Sequence, residues 1–180
     1  DNLCGAVEFA EACQSAGIQP IIGCEVTLTD GCHLTLLAET QQGYANLCRL
    51  LSEAHLESVR LRPTLLLSSL LARTEGLIAL TGCRRGPLSR ALEDGVATAE
   101  FLARRLHAAF GPRGLFVELQ DNEQKGDGYR NRSLGRLADR LGIPVVATGN
   151  VHYHRPERHR LQDVMVAIRN RTTLNGSHEQ

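Results

Sequence analysis

Five polar side chains stand at the margins of short apolar runs, where a strand would hand them to a loop: Glu25, His33, Cys83, Asn150 and His152. Carboxylate, imidazole and thiolate are the donors that hold zinc and, with more oxygen, manganese or iron. Such groups gathered at strand ends therefore point to a divalent metal site. Singly, each has a plainer explanation. A lone Glu after a strand is most often a solvated loop acid, and a lone Cys a small core residue. His152 and His154 are two residues apart and face opposite sides of an extended segment, so at most one of them joins a given site.

Composition removes several other chemistries. The 180 residues carry 20 basic and 20 acidic side chains, a formal net charge of zero, so the chain as a whole has no electrostatic pull toward nucleic acid or an anionic bilayer. Any basic surface must be local. Arg155, Arg158, Arg160, Arg169 and Arg171 are candidates for phosphate or for a neighbouring domain, although a solvated helix face is the commoner use of such a run. The six cysteines, at 4, 13, 24, 32, 48 and 83, contain no CxxC pair, which argues against a zinc ribbon or a thioredoxin-type motif and favours reduced core residues. No Walker-type glycine loop and no Asp-x-Asp pair occurs. Without a basic, apolar leader or a run of about 18 apolar residues, a soluble cytoplasmic protein with no membrane partner is expected. The chain opens on Asp1, directly against a helical pattern, and is expected to be a segment of a longer one.

The elements that must position these residues follow from hydrophobic period. Ala6, Phe9, Ala10 and Cys13 form one helical stripe, and Gly17 stands where a left-handed cap would end it. Pro20 to Val26 and His33 to Ala38 read as buried strands. Asp30-Gly31 between them is a good hairpin turn, which leaves antiparallel and parallel pairing both open. A helix around Tyr44 to Leu51, a shorter one over Leu65 to Leu71 and a strand over Gly76 to Thr81 come next. They are followed by a helix through Leu102 and Leu106 that stops at Gly111, the strand Leu115 to Leu119, and a helix through Leu134 and Leu141. Gly142-Ile143-Pro144-Val145 then echoes Gly17-Ile18-Gln19-Pro20 and opens the strand ending at Thr148; a last helix spans Leu161 to Ile168. Strands of five or six residues alternating with helices imply parallel pairing through crossovers, in a barrel or an open sheet whose strand C-terminal ends carry the chemistry.

Several stretches, in order, resemble the polymerase-and-histidinol-phosphatase (PHP) domains at the front of bacterial DNA polymerases of the polymerase III alpha type. They are Asp1 to Ala6 with Pro20 to Glu25, then His33 to Ala38 with Gly43 to Leu47, Leu80 to Cys83, and Val146 to Tyr153. The resemblance implies an α/β fold, a distorted seven-stranded barrel, of which the first strand and the first metal-ligand motif precede Asp1. It places Glu25, His33, Cys83 and His152 on ligand positions. Many relatives have Asp where Asn150 stands; an amide oxygen can ligate but brings no negative charge, which puts nuclease activity in doubt. Asn150, with Glu118 to Asn122 and His154 to Val164, resembles the error-prone branch more than the main replicase. The implied cofactors are zinc, manganese or iron at a partial site here, and magnesium at a polymerase centre elsewhere in the parent chain. The implied partners are DNA, the remaining polymerase domains and replication or repair subunits. Residues 1–171 are expected to be a partial PHP domain and 172–180 the start of a linker. A stand-alone PHP phosphoesterase, such as a histidinol phosphatase, is the alternative.

Overall fold

The computed structural model describes residues 1–174. The chain divides into two compact units, Asp1–Thr148 and Gly149–Gln180.

The first unit is an α/β layer. Helix α1 (Ala6–Ser15) leads to strands β1 (Gly23–Thr27) and β2 (His33–Ala38). Helices α2 (Gln41–Glu57) and α3 (Leu67–Leu71) precede β3 (Leu77–Leu80), and α4 (Pro87–Glu93) with α5 (Val96–Phe110) precede β4 (Leu115–Leu119). Helix α6 (Asp127–Leu141) then leads to β5 (Val145–Ala147). The five strands make one mixed sheet in sequential order. The Asp30-Gly31 turn settles what its sequence left open: β1 and β2 are antiparallel, Glu25 facing Thr35 and Thr27 facing His33. Asp30 closes the turn by accepting the Cys32 amide, and Gly31 takes the positive φ.

The expectation of parallel pairing holds for β3 with β4 and β4 with β5, and fails for β2 with β3, which are antiparallel. The reason lies in where the α2–α3 excursion closes. Its last residue before β3, Gly76, returns against the first turn of α2 at Gly43. The start of β3 is thereby laid beside the end of β2, with Ala38 opposite Leu77. The echo between the two Gly-Ile segments has a shared cause. Gly17 and Gly142 both adopt positive φ after a helix. The next amide, of Ile18 or Ile143, reaches back to Cys13 or Ala138, the six-to-one bond of a Schellman cap.

Strand alternation sorts the sheet into two faces. Cys24, Val26, Leu34, Leu36, Leu77, Ala79, Leu115 and Val117 are buried in one core with Leu47 and Leu50 of α2, Leu106 of α5 and Leu134 of α6. Each fully buried leucine contributes roughly 1.5–3 kcal/mol, so a one-residue slip that turned Leu34 and Leu36 outward is strongly disfavoured. The opposite face is only half covered: His33, Thr35, Leu37, Ile78, Leu80 and Phe116 are all intermediate in burial. The α1 stripe is likewise only partly covered, with Cys13 buried and Phe9 exposed.

In the second unit a short 3-10 turn (Pro156–Arg158) opens α7 (His159–Asn170). The expected apolar stripe of this helix is largely exposed: Leu161, Val164, Met165 and Ile168 are all open, and Ala167 is buried. Of the expected linker 172–180, residues 175–180 lie outside the described residues.

Candidate metal centre

Glu25 and His33 meet because of register. Thr27 stands directly opposite His33, so Glu25, two residues back, lies on the same sheet face and diagonal to the imidazole. Long side chains close that diagonal, and His33 Nδ1 lies 3.2 Å from Glu25 Oε1. Glu25 sits in the middle of β1 and not at its end, on the half-covered face.

Cys83 reaches them from the loop between β3 and α4, and that loop is held from several sides. Gly82 has φ +82°, and a Cβ there would lie 2.3 Å from the His33 carbonyl oxygen, so only glycine lets the loop approach β2 this closely. The His33 amide in turn donates to the Arg85 carbonyl at 2.9 Å. The turn itself is closed by the Gly86 amide, which donates to the Cys83 carbonyl at 2.8 Å, and that oxygen also accepts from Ser89 Oγ at 3.1 Å. The Cys83 sulfur accepts the Arg85 amide at 3.4 Å.

One ligand atom from each of Glu25, His33 and Cys83 can be chosen so that all three lie within 4.8 Å of one another. Donors at zinc-type bond lengths of 2.0–2.3 Å sit roughly 3.3–3.8 Å apart in a tetrahedron, so small side-chain motions would bring the three onto one ion. The electrostatics fit such an ion. Burial holds the His33 imidazole below its ordinary pKa; the Glu25 carboxylate opposes this and the Arg85 guanidinium reinforces it. The ring is therefore biased to the neutral form that ligates metals. Cys32 shows the opposite character: burial, helped by its hydrogen bond to Asp30, pushes its thiol up to about 11, which marks it as a core residue. All six cysteines are free, with Cys13, Cys24 and Cys32 buried.

The structure thus brings together Glu25, His33 and Cys83. Asn150 and His152 belong to the second unit, where Asn150 has φ 48°, a left-handed conformation that Asn and Asp tolerate better than most residues, and His152 is exposed. Sequence reasoning missed a buried polar network at the C-terminal ends of the parallel strands. Glu118, 4% exposed, accepts hydrogen bonds from the Gly82 amide (2.9 Å), from Gln120 Nε2 (2.9 Å) and from the Thr148 hydroxyl, while the Glu118 amide donates to Thr81 Oγ1. The signal was available: a carboxylate inside the apolar run Leu115 to Leu119 must find donors if that run is buried on both faces. Asp127 is a second case. It is buried at the start of α6 and accepts the Asn122 and Gln124 amides and the Arg130 guanidinium, bonds that hold its carboxyl below the usual range, the Asn122 amide foremost.

Among the described residues no helix is long and apolar enough to cross a membrane. The chain is 42% identical over 197 aligned positions to an error-prone DNA polymerase of Symbiobacterium thermophilum, covering 100% of this chain and 18% of that protein. It is 35% identical over 182 positions to a DNA polymerase III subunit alpha of Treponema pallidum, covering 93% of this chain and 16% of the relative. An error-prone DNA polymerase of Mycolicibacterium paratuberculosis is 38% identical over 191 positions, with 98% and 17% covered. The chain therefore spans less than a fifth of the length of these relatives. Residues 1–122 match the PHP domain, a stretch that holds Glu25, His33, Cys83 and the loop that joins them, and with two thirds of its length so matched the chain belongs to the PHP domain family.

Proposed function

We propose that this chain is the PHP portion of a bacterial error-prone or polymerase III alpha-type DNA polymerase, and that its metal-binding face is weakly charged and serves the polymerase more as a scaffold than as a nuclease. The observation that carries the reading is the convergence of Glu25, His33 and Cys83 inside the stretch that matches the family. The names of the relatives favour a polymerase parent over a free-standing phosphoesterase. The half-covered second face of the sheet fits a barrel completed by further strands to the seven of the family type.

In this reading residues 1–171 are a partial PHP domain, and 172–180 lead into the next segment. By family resemblance His152 is a fourth ligand and Asn150 contributes an amide oxygen. A divalent ion such as zinc, manganese or iron held by these residues would polarise a phosphodiester and activate water. Within the cluster, His33 supplies a neutral ring, Cys83 a sulfur on a fixed loop, and Glu25 a carboxylate that offsets positive charge. Asn150 adds a donor without adding charge, so an ion sharing that position is bound more weakly than with Asp. Nucleotide transfer, with magnesium, belongs to a centre elsewhere in the parent chain. DNA, the other polymerase domains and replication or repair subunits are its partners, in the cytoplasm.

The full-length protein is expected to extend primers, to hold little PHP-bound metal, and to remove few 3′-terminal nucleotides. Asn150→Asp, compatible with the left-handed backbone there, should raise metal content by elemental analysis, and Cys83→Ala or His152→Ala should lower what remains. Full metal content with brisk exonuclease turnover on a labelled primer in the unmodified protein would sink the scaffold reading.

A further inference from the structure

We infer that Glu118 is a positioning residue for the metal cluster: its buried carboxylate fixes the Gly82 amide and through it the loop that presents the Cys83 sulfur. This rests on the metal-binding reading above. Glu118 belongs to β4, is 4% exposed, and takes part in no ion pair among the described residues. Its three side-chain partners, the Gly82 amide, Gln120 Nε2 and the Thr148 hydroxyl, all donate. A carboxyl group with two acceptor oxygens satisfies all three.

The bond that matters is the one to Gly82. Its amide immediately precedes Cys83 and its carbon lies where a Cβ would strike the His33 carbonyl oxygen, so a single atom group of Glu118 holds the loop at the point where it bridges two ligand-bearing elements. The other constraints on Cys83 act from the far side: Gly86 and Ser89 hold its carbonyl and Arg85 its sulfur. From the sheet, the β2 amide of His33 holds the far end of the loop at Arg85, and Glu118 of β4 holds its near end at Gly82. In Glu118→Ala the Gly82 amide loses its acceptor outright, whereas the Thr148 hydroxyl and the Gln120 amide can turn to other partners, and a buried donor left without an acceptor is costly enough to move the loop.

Cobalt(II) reports the difference between a held and a displaced thiolate, because a Co–S bond gives a charge-transfer band in the near ultraviolet that nitrogen and oxygen ligands do not. In the full-length natural protein, the cobalt-minus-apo spectrum should show that band and Cys83→Ala should remove it. Glu118→Ala, folded by circular dichroism, should lose most of the band and bind cobalt about 10–100-fold more weakly, the range for loss of an outer-shell partner. Asp127→Ala is the matched control, since it also removes a buried carboxylate that accepts backbone amides but holds residues 122–124 instead of Cys83; its band should survive.

An unchanged band and affinity in Glu118→Ala overturns the inference while leaving the metal reading intact, as does equal loss in Asp127→Ala. Absence of any Cys83-dependent band in the unmodified protein fails the metal reading, and this inference with it. Should Glu118→Ala not fold, hydrogen exchange read by mass spectrometry on the unmodified protein decides: the Gly82 amide must be among the slow amides of its loop, and fast exchange there overturns the role.

Discussion

At His33, burial and charge pull the imidazole in opposite directions, and burial wins. The ring lies below its ordinary pKa, the Glu25 carboxylate notwithstanding. The consequence for stability has a definite sign. Between the unfolded value near 6.5 and the lower folded value, the unfolded chain binds more protons than the folded one, so stability falls as pH drops through that window. In chelator-treated protein, the stability advantage of wild type over His33→Gln should therefore shrink as pH falls below about 6.5, then level off below the folded value. Urea midpoints across that range measure it, and an advantage that grows on acidification would refute the assignment. Glu25, His33 and Cys83 could be picked out from the sequence as candidates because their types suit a metal and they stand in the family's order. Their contact was not legible, since it depends on a diagonal across a β-hairpin whose direction the sequence left open. Glu118 could be suspected from its place inside an apolar run, but its partners could not: two of its three donors, Gly82 and Thr148, come from distant segments that no local pattern announces.

Between elements, the tightest joint is the one where α2 meets the turn before β3. A Cβ on Gly43 would lie 1.7 Å from the Gly76 carbonyl oxygen, and one on Gly76 would lie 2.1 Å from Thr40 Oγ1. Thr40 caps α2 by accepting the Gly43 amide at 3.1 Å, and the Gly76 carbonyl accepts the Glu39 amide at 2.9 Å. Buried Asn46 adds a bond from Nδ2 to the Glu75 carbonyl at 3.0 Å. Two kinds of damage can therefore be compared at one place. Thr40→Ala removes a cap and should cost about 1 kcal/mol. Gly43→Ala drives a methyl into backbone that cannot yield, and should cost more, about 2–3 kcal/mol or greater. Denaturant midpoints at constant m-value would rank them, and a Gly43→Ala protein as stable as Thr40→Ala would contradict the close approach. The sequence pattern found α2 and β3 but said nothing of this joint, and so mistook the direction of β3 relative to β2. Periodicity describes one element at a time, whereas the return of the chain to its starting point is a property of the pair. Helix α4, seven residues from Pro87 to Glu93, was not among the expected elements.

On the scale of the whole molecule, the first unit has its buried core on one side of the sheet and a half-covered face on the other. One face is sealed by α2, α5 and α6, while Leu37, Ile78, Leu80 and Phe116 on the other are half-buried. Strands β1 and β5 end the described sheet, and unpaired strand edges invite pairing with another chain. The β1 edge is partly occupied, since the Asp1 carboxylate accepts both the amide and the hydroxyl of Thr27; β5, with only three residues, is short. In the second unit Leu161, Met165 and Ile168 are exposed along α7. The stripe was legible in the sequence, but its exposure was not, because period shows which face is apolar and never what covers it. Net charge decides whether such surfaces meet. With 20 basic and 20 acidic residues, the molecule has no overall repulsion near neutral pH to hold copies apart. The 180-residue chain produced alone is therefore expected to self-associate, most strongly near neutrality, and to dissociate as pH moves away from it while the fold persists. Light scattering across a dilution series at several pH values, beside circular dichroism, gives the measurement. A monodisperse monomer at neutral pH with one sharp thermal transition would show that the half-covered face and the α7 stripe are stable in water without a partner.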